Sequence, residues 1–226
     1  MEPNNSLGVR RRYAGIFFAT AGFATLLAVL AQSTPRGSVL ESVELTAEFA
    51  SRARIALFLW GVASVSIVVA CILVANVLRG PRTRTALLGS VFLALGALLF
   101  FTVRIATGGL RYLLGVATDG PIDTTQVDAL LQFASSFTIV VVPPLVLGGS
   151  CIAIGFDPAG ASSWFTGATW SIALVCYGLV DGVWWAEALT AAALALALLV
   201  MGIEVARFRP VFALTSDAGA TRIMSS

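Results

Sequence analysis

Long, uninterrupted apolar runs organise this chain, set apart by short segments in which arginine, acids, glycine and proline gather. Crossing a hydrocarbon core of roughly 30 Å takes about 20 apolar residues at helical rise. The chain supplies such a run six times: Tyr13 to Ala31, Ile55 to Leu78, Ala86 to Val103, Ala129 to Gly155, Trp164 to Val180 and Trp184 to Val205. The runs are continuous rather than alternating, which predicts helices and not barrel strands. The expected fold is all-α, a polytopic bundle of six transmembrane helices forming one membrane domain over residues 1–226.

The first run competes with a cleavable signal peptide, because Arg10, Arg11 and Arg12 precede it as an n-region would. It is longer than a typical apolar core of such peptides, and Ala31, Gln32 and Ser33 make a poor cleavage site, so it is read as a retained helix. Between the first two runs, Ser38 to Arg54 has an amphipathic pattern, with Val39, Leu40, Val43 and Phe49 set against Glu41, Glu44, Glu48 and Arg52. No helix breaker separates it from the second run, so the two form one bent helix, either resting on the bilayer surface or covering a pore or partner site. Gly80 with Pro81, Gly120 with Pro121, Pro158 with Gly160, and Asp181 with Gly182 mark the other turns.

Charge sets the orientation. Every cation is arginine, and nine of the fourteen fall on the side that carries both termini, against five on the other. Acids are distributed the opposite way, giving about +5 against −3, and short loops rich in arginine are retained in the cytoplasm. Both termini are therefore expected to be cytoplasmic. A chain that is 58% hydrophobic and 12% charged, with an overall charge of +2, has neither the polar surface of a soluble domain nor the charge for nucleic acid. The use of arginine in place of lysine throughout points to a GC-rich prokaryotic genome, and so to a prokaryotic plasma membrane.

The missing residue types exclude more chemistry than the present ones suggest. No histidine means no imidazole for haem, for a typical zinc site or for a histidine-based triad, and no lysine means no Schiff base. Cys71, Cys151 and Cys176 are scattered over three runs and read as small packing residues. No cofactor and no metal site is expected.

Four features carry the candidate chemistry. Arg104 stands at the outer end of the third run with Arg111 seven residues on, hence on the same helical face, where a guanidinium is costly unless it is paired or reaches the interface. Asp181, Glu187 and Glu48 lie at the same expected depth, in that order of preference as partners, so Arg104, Arg111, Asp181 and Glu187 form either a structural salt-bridge cluster or a site for an anionic headgroup or solute. Pro143 and Pro144 obstruct the carbonyls of Ile139 and Val140 and predict a kink or break in the fourth helix. A cavity there would be lined by Ser135, Ser136, Thr138, Ser150 and Cys151. Tyr177, Trp184 and Trp185 form an interfacial aromatic belt around Asp181, itself an N-cap candidate. Finally, Gly15, Ala19 and Gly22, Ser90 and Ala94, and Ala193 and Ala197 recur at helix-packing spacing.

The order of elements, with "ASRARIALFLWGVASVS" at Ala50 to Ser66, "PPLVLGGSCIAIGF" at Pro143 to Phe156 and "SSWFTGATWSIALVCYGLVD" at Ser162 to Asp181, resembles a family of uncharacterised prokaryotic six-span integral membrane proteins catalogued as a domain of unknown function. The resemblance implies the six-span topology and no chemistry. The residues thus lead to a non-enzymatic membrane protein with an interaction role or a small-solute or lipid-handling role. Its expected partners are membrane lipids and a second copy or another membrane protein. The competing classes are a membrane-embedded enzyme using Arg104, Asp181 and Glu187 on a lipid or isoprenoid at the outer face, and a small transporter.

The arginine asymmetry makes a direct prediction. A reporter that is active only in the cytoplasm should be active when fused after Ser226 and silent when inserted within residues 37–48; the reverse pattern would invert the topology.

Overall fold

The computed structural model describes residues 3–32, 39–77, 83–117, 124–156, 166–173, 176 and 184–207, and among them every element is helical. The helices are α1 (Pro3–Ala31), α2 (Val39–Glu48), α3 (Ala50–Val77), α4 (Thr83–Ala117), α5 (Thr124–Phe156), α6 (residues 166–173) and α7 (Trp184–Arg207). Four contain stretches long and apolar enough to cross a bilayer: Gly8–Ala31, Ala50–Val77, Arg84–Val116 and Ala186–Arg207. Within α5 the apolar stretch Val140–Ile154 is shorter. The expected fourth run lies inside α5. Of the expected fifth, the described residues are helical, while Trp164 and Tyr177 to Val180 lie outside the described residues.

Large apolar side chains point outward on all the long helices, among them Ile16 and Phe23 on α1, Phe58 and Val65 on α3, Leu88 and Leu95 on α4, and Leu189 and Leu196 on α7. In water such a coat would be a severe liability; against hydrocarbon it is the matching solvent. The protein is accordingly an α-helical protein of membrane type.

The helices follow one another around the bundle. α1 lies between α7 and α3, α3 between α1 and α4, and α4 between α3 and α5. α6 closes the circuit, with Trp170 Nε1 donating to the Leu145 carbonyl of α5 at 2.9 Å and Thr166 Oγ1 donating to Glu204 Oε1 of α7 at 3.2 Å. Ser150 and Ser171 hydroxyls share a further bond at 3.0 Å across α5 and α6. In a bundle without a hydrophobic driving force between helices, contacts of this kind and close backbone approach do the holding.

Close approach is decided at a few glycines. A Cβ on Gly15 would stand 2.5 Å from the Gly202 carbonyl oxygen, and one on Gly202 would stand 2.6 Å from that of Gly15, so α1 and α7 touch backbone to backbone. Gly22 meets Ala195 one contact further along. The spacing of small residues in the first run is thus used, and Ser90 is buried with its hydroxyl bonded to the Ala86 carbonyl at 2.8 Å. On α5, Gly148 lies against the Leu93 backbone and Gly149 against the Trp170 indole, closing the helix onto both neighbours.

Two expectations meet the structure here. The amphipathic segment does form a helix and does continue into the second span. α2 and α3 are separated only by a turn at Phe49, and the Phe49 N–H donates to Leu45 and the Ala53 N–H to the Phe49 carbonyl, both at 3.0 Å. α2 buries Val43 and Thr46 and exposes Glu41, Glu44 and Glu48, and it lies mainly against α4. The fourth span, however, is not broken at the prolines, because α5 runs as one helix through Pro143 and Pro144. Each proline removes one donor, whereas opening the chain in lipid would free several more, so a continuous helix held by α4 and α6 is the cheaper arrangement.

Replacing Gly15 or Gly202 by leucine should force α1 from α7 and cost about 1–3 kcal/mol by overpacking, read as a lower midpoint of unfolding in detergent mixtures. Gly61→Leu is the control: no heavy atom lies within 4 Å of where its Cβ would be.

Candidate functional site

The site begins with a mismatch of lengths. At 1.5 Å per residue the 35 residues of α4 extend about 52 Å, well beyond the roughly 30 Å of a hydrocarbon core. Arg84 opens the apolar stretch of α4, and about 20 residues on, the length that crosses the core, the chain has reached Arg104. α2 lies against the C-terminal part of α4: the place a Cβ on Gly115 would take is 2.8 Å from the Val43 carbonyl oxygen and 3.0 Å from Ala47 Cβ.

Under α2, α3 and α4 leave a small open cleft, with room of about 30 Å³ for water-sized molecules. On α3 its wall is Ala53, Ala56, Leu57 and Trp60, and on α4 it is Arg104, Gly108 and Arg111. Both sets follow the three- and four-residue steps of a single helical face. Gln32 at the end of α1 and Thr46 of α2 complete it. Gly108 lets Leu57 of α3 pack closely on α4, since a Cβ there would stand 3.1 Å from Leu57 Cδ2.

The floor is aromatic and firm. Trp60 is 1% exposed and meets Phe100 edge-on at 6.2 Å and Phe101 at 5.6 Å, and the two phenylalanines cross at 5.3 Å. Arg104 rests over this cluster, its Cζ 5.6 Å from the Phe100 ring centroid, a placement in which the ring faces part of the positive charge. Further out, Arg54 lies 5.9 Å from the Tyr112 ring and Arg52 lies 5.4 Å from that of Phe49. Arg104 is therefore the deepest cation of a group, about 10 Å along the helix axis from Arg111. Both cleft arginines hold other partners as well, so they belong to a wider set of contacts and are not two isolated charges.

Of the residues singled out in the sequence, Arg104 and Arg111 come together in this cleft. Asp181 lies outside the described residues, as do Tyr177 and Gly182. Glu187 sits in the first turn of α7, only 8% exposed and engaged there, and α7 packs chiefly on α1; it is not among the cleft-lining residues. Glu48 ends α2 and is exposed. Near the prolines, Ser150 is taken up by Ser171 and Ser136 by the Gln132 carbonyl, while the side chains of Ser135 and Thr138 lie outside the described residues. Gln32, Thr46, Trp60 and Gly108 were not signalled by sequence. The three- and four-residue steps from Ala53 to Trp60 and from Arg104 to Arg111 were the available hint.

Among the described residues no group of three or more histidines, cysteines or acids is placed to hold a metal. Compared with protein families, curated proteins and solved structures, the chain matches none.

Trp60 fixes the cleft. Trp60→Ala should cost about 3–5 kcal/mol and let the floor collapse. Trp60→Phe, which keeps a ring against Phe100 and Phe101, should retain most of that stability, measured by the same unfolding assay.

Proposed function

We propose that this protein is a non-enzymatic integral membrane protein of six spans, with both termini cytoplasmic, that handles an anionic small solute or lipid in the cleft beneath α2. One observation carries the reading: Arg104 and Arg111 share one face of α4 and line a single cleft at interface level, together with the polar side chains of Gln32 and Thr46. Guanidinium groups are suited to carboxylate and phosphate because they offer several donors in a planar fork and never lose their charge. Placing one of them about 10 Å deeper than its partner, over an aromatic floor, sets up a pull on an anion into the slot rather than a general attraction to the surface.

The enzymatic alternative needs Asp181 and Glu187 within reach of Arg104. Asp181 lies outside the described residues, and Glu187 is not among those that line the cleft. A transporter needs a water path through the bundle, whereas α5 is continuous and α6 is bonded to helices on both sides. A second copy or a partner membrane protein would find its most accessible polar face at the exposed acids of α2.

Binding can be read as stabilisation. Inorganic phosphate at ten times its dissociation constant should stabilise the detergent-purified protein by about 1.4 kcal/mol. Sodium chloride at matched ionic strength should not. Arg104→Gln and Arg111→Gln should each remove most of the effect, and an undiminished response in both variants would show that the anion binds elsewhere.

A further inference from the structure

α2 is seated on the bundle in two different ways. At Gly115 it meets α4 with no space between, since a Cβ there would stand 2.8 Å from the Val43 carbonyl oxygen. Beside Thr46 the fit is looser, and the cleft leaves room of about 30 Å³. Polar residues of three helices face that room, Gln32 at the end of α1, Thr46 of α2, and Arg104 and Arg111 of α4, with Ala56 and Trp60 of α3 on the other side. Thr46 is 6% exposed and Trp60 is 1% exposed, so both lie away from bulk solvent. Size and chemistry together limit what can stand there. A cavity needs roughly 10–15 Å³ of this kind of room to hold a water molecule, and the water needs about two to four polar partners. Guanidinium groups donate and never accept, whereas a threonine hydroxyl and a carboxamide oxygen accept. Water is the molecule of that size which can take a hydrogen bond from an arginine and give one to either oxygen. It needs no uncompensated charge, and the arginines keep the partners they already hold.

We infer that an ordered water molecule is a structural ligand of this cleft, accepting a hydrogen bond from Arg104 or Arg111 and donating to the Thr46 hydroxyl or the Gln32 carboxamide oxygen, so that it joins α2 to α4 and α1. The seat of α2 is then dry at Gly115 and wet at Thr46. The two halves behave differently. Direct packing of backbone on backbone resists any displacement, whereas a bridging water is nearly as good as a direct hydrogen bond and can be repositioned or exchanged without a side chain leaving its place. α2 is thereby anchored to α4 at one point and adjustable at the next. Whether or not the cleft takes up an anion, α2 has to be seated, so the water and the phosphate response stand or fall separately.

The test is radiolytic hydroxyl-radical labelling of the full chain in neutral detergent, read residue by residue by mass spectrometry. Radicals formed from a bound water mark the side chains beside it, including those that bulk solvent does not reach. Trp60 should be labelled several-fold faster than Trp170, a ring of similar burial at 3% exposed that lies against Gly149. Equal protection of the two rings overturns the inference. An isosteric pair at Ala56, which lines the room and is 3% exposed, gives a second readout. Valine and threonine have the same shape, so the cost of filling the space and of branching in a helix cancels between Ala56→Val and Ala56→Thr, and what remains is the hydroxyl. Beside a water the hydroxyl has a partner, and Ala56→Thr should unfold at the higher midpoint. An equal or higher midpoint for Ala56→Val marks the space as dry and overturns the inference. If neither variant folds, the labelling of Trp60 in the wild type alone decides.

Discussion

The length of α4, greater than a hydrocarbon core requires, is where structure and chemistry meet in this protein. Backbone groups in lipid have to be satisfied within the helix, and α4 stays helical from Thr83 to Ala117. That length gives α2 something to lie on at Gly115, gives Arg104 and Arg111 a common face, and lets Leu57 of α3 pack against α4 at Gly108. Shortening α4 by three turns at this end would leave the apolar bundle largely as it is, but would remove the cleft and the support of its cover.

Below that level the bundle is kept together by a different set of contacts. α1 and α7 meet through Gly15 and Gly202, α4 and α5 through Gly148 and Leu93, and α6 is tied to α5 and α7 by side-chain hydrogen bonds from Trp170, Ser171 and Thr166. These contacts are short-range and directional, unlike hydrophobic burial in water. They fix the neighbours of each helix and leave the outward surfaces free to be uniformly apolar.

The sequence made the long helices legible because run length is decided by one physical quantity, the thickness of hydrocarbon. It also made α2 legible, through its alternation of acids and aliphatics, and the α1 contact with α7, through the spacing of Gly15 and Gly22. The cleft was only half visible. Arg104 and Arg111 stood out because charge is expensive near lipid, but Trp60, Thr46 and Gln32 are ordinary residues for their positions and acquire meaning only when α3, α2 and α1 are brought to the same place. Glu187 drew attention for its depth in the sequence, yet depth says nothing about azimuth, and the bundle order sets α7 beside α1. Pro143 and Pro144 announced a kink or a break; α5 stays helical through both, which removes the break.

The turn at Phe49 has a mechanical side. With hydrogen bonds in helical register on both sides of it, α2 behaves as a short arm fixed to the end of α3. Ten residues make that arm about 15 Å long, so a tilt of α3 by about 10°, within the range by which spanning helices adapt to bilayer thickness, carries the tip of α2 through roughly 2.6 Å. The close contact of α2 with α4 at Gly115 is what resists that displacement.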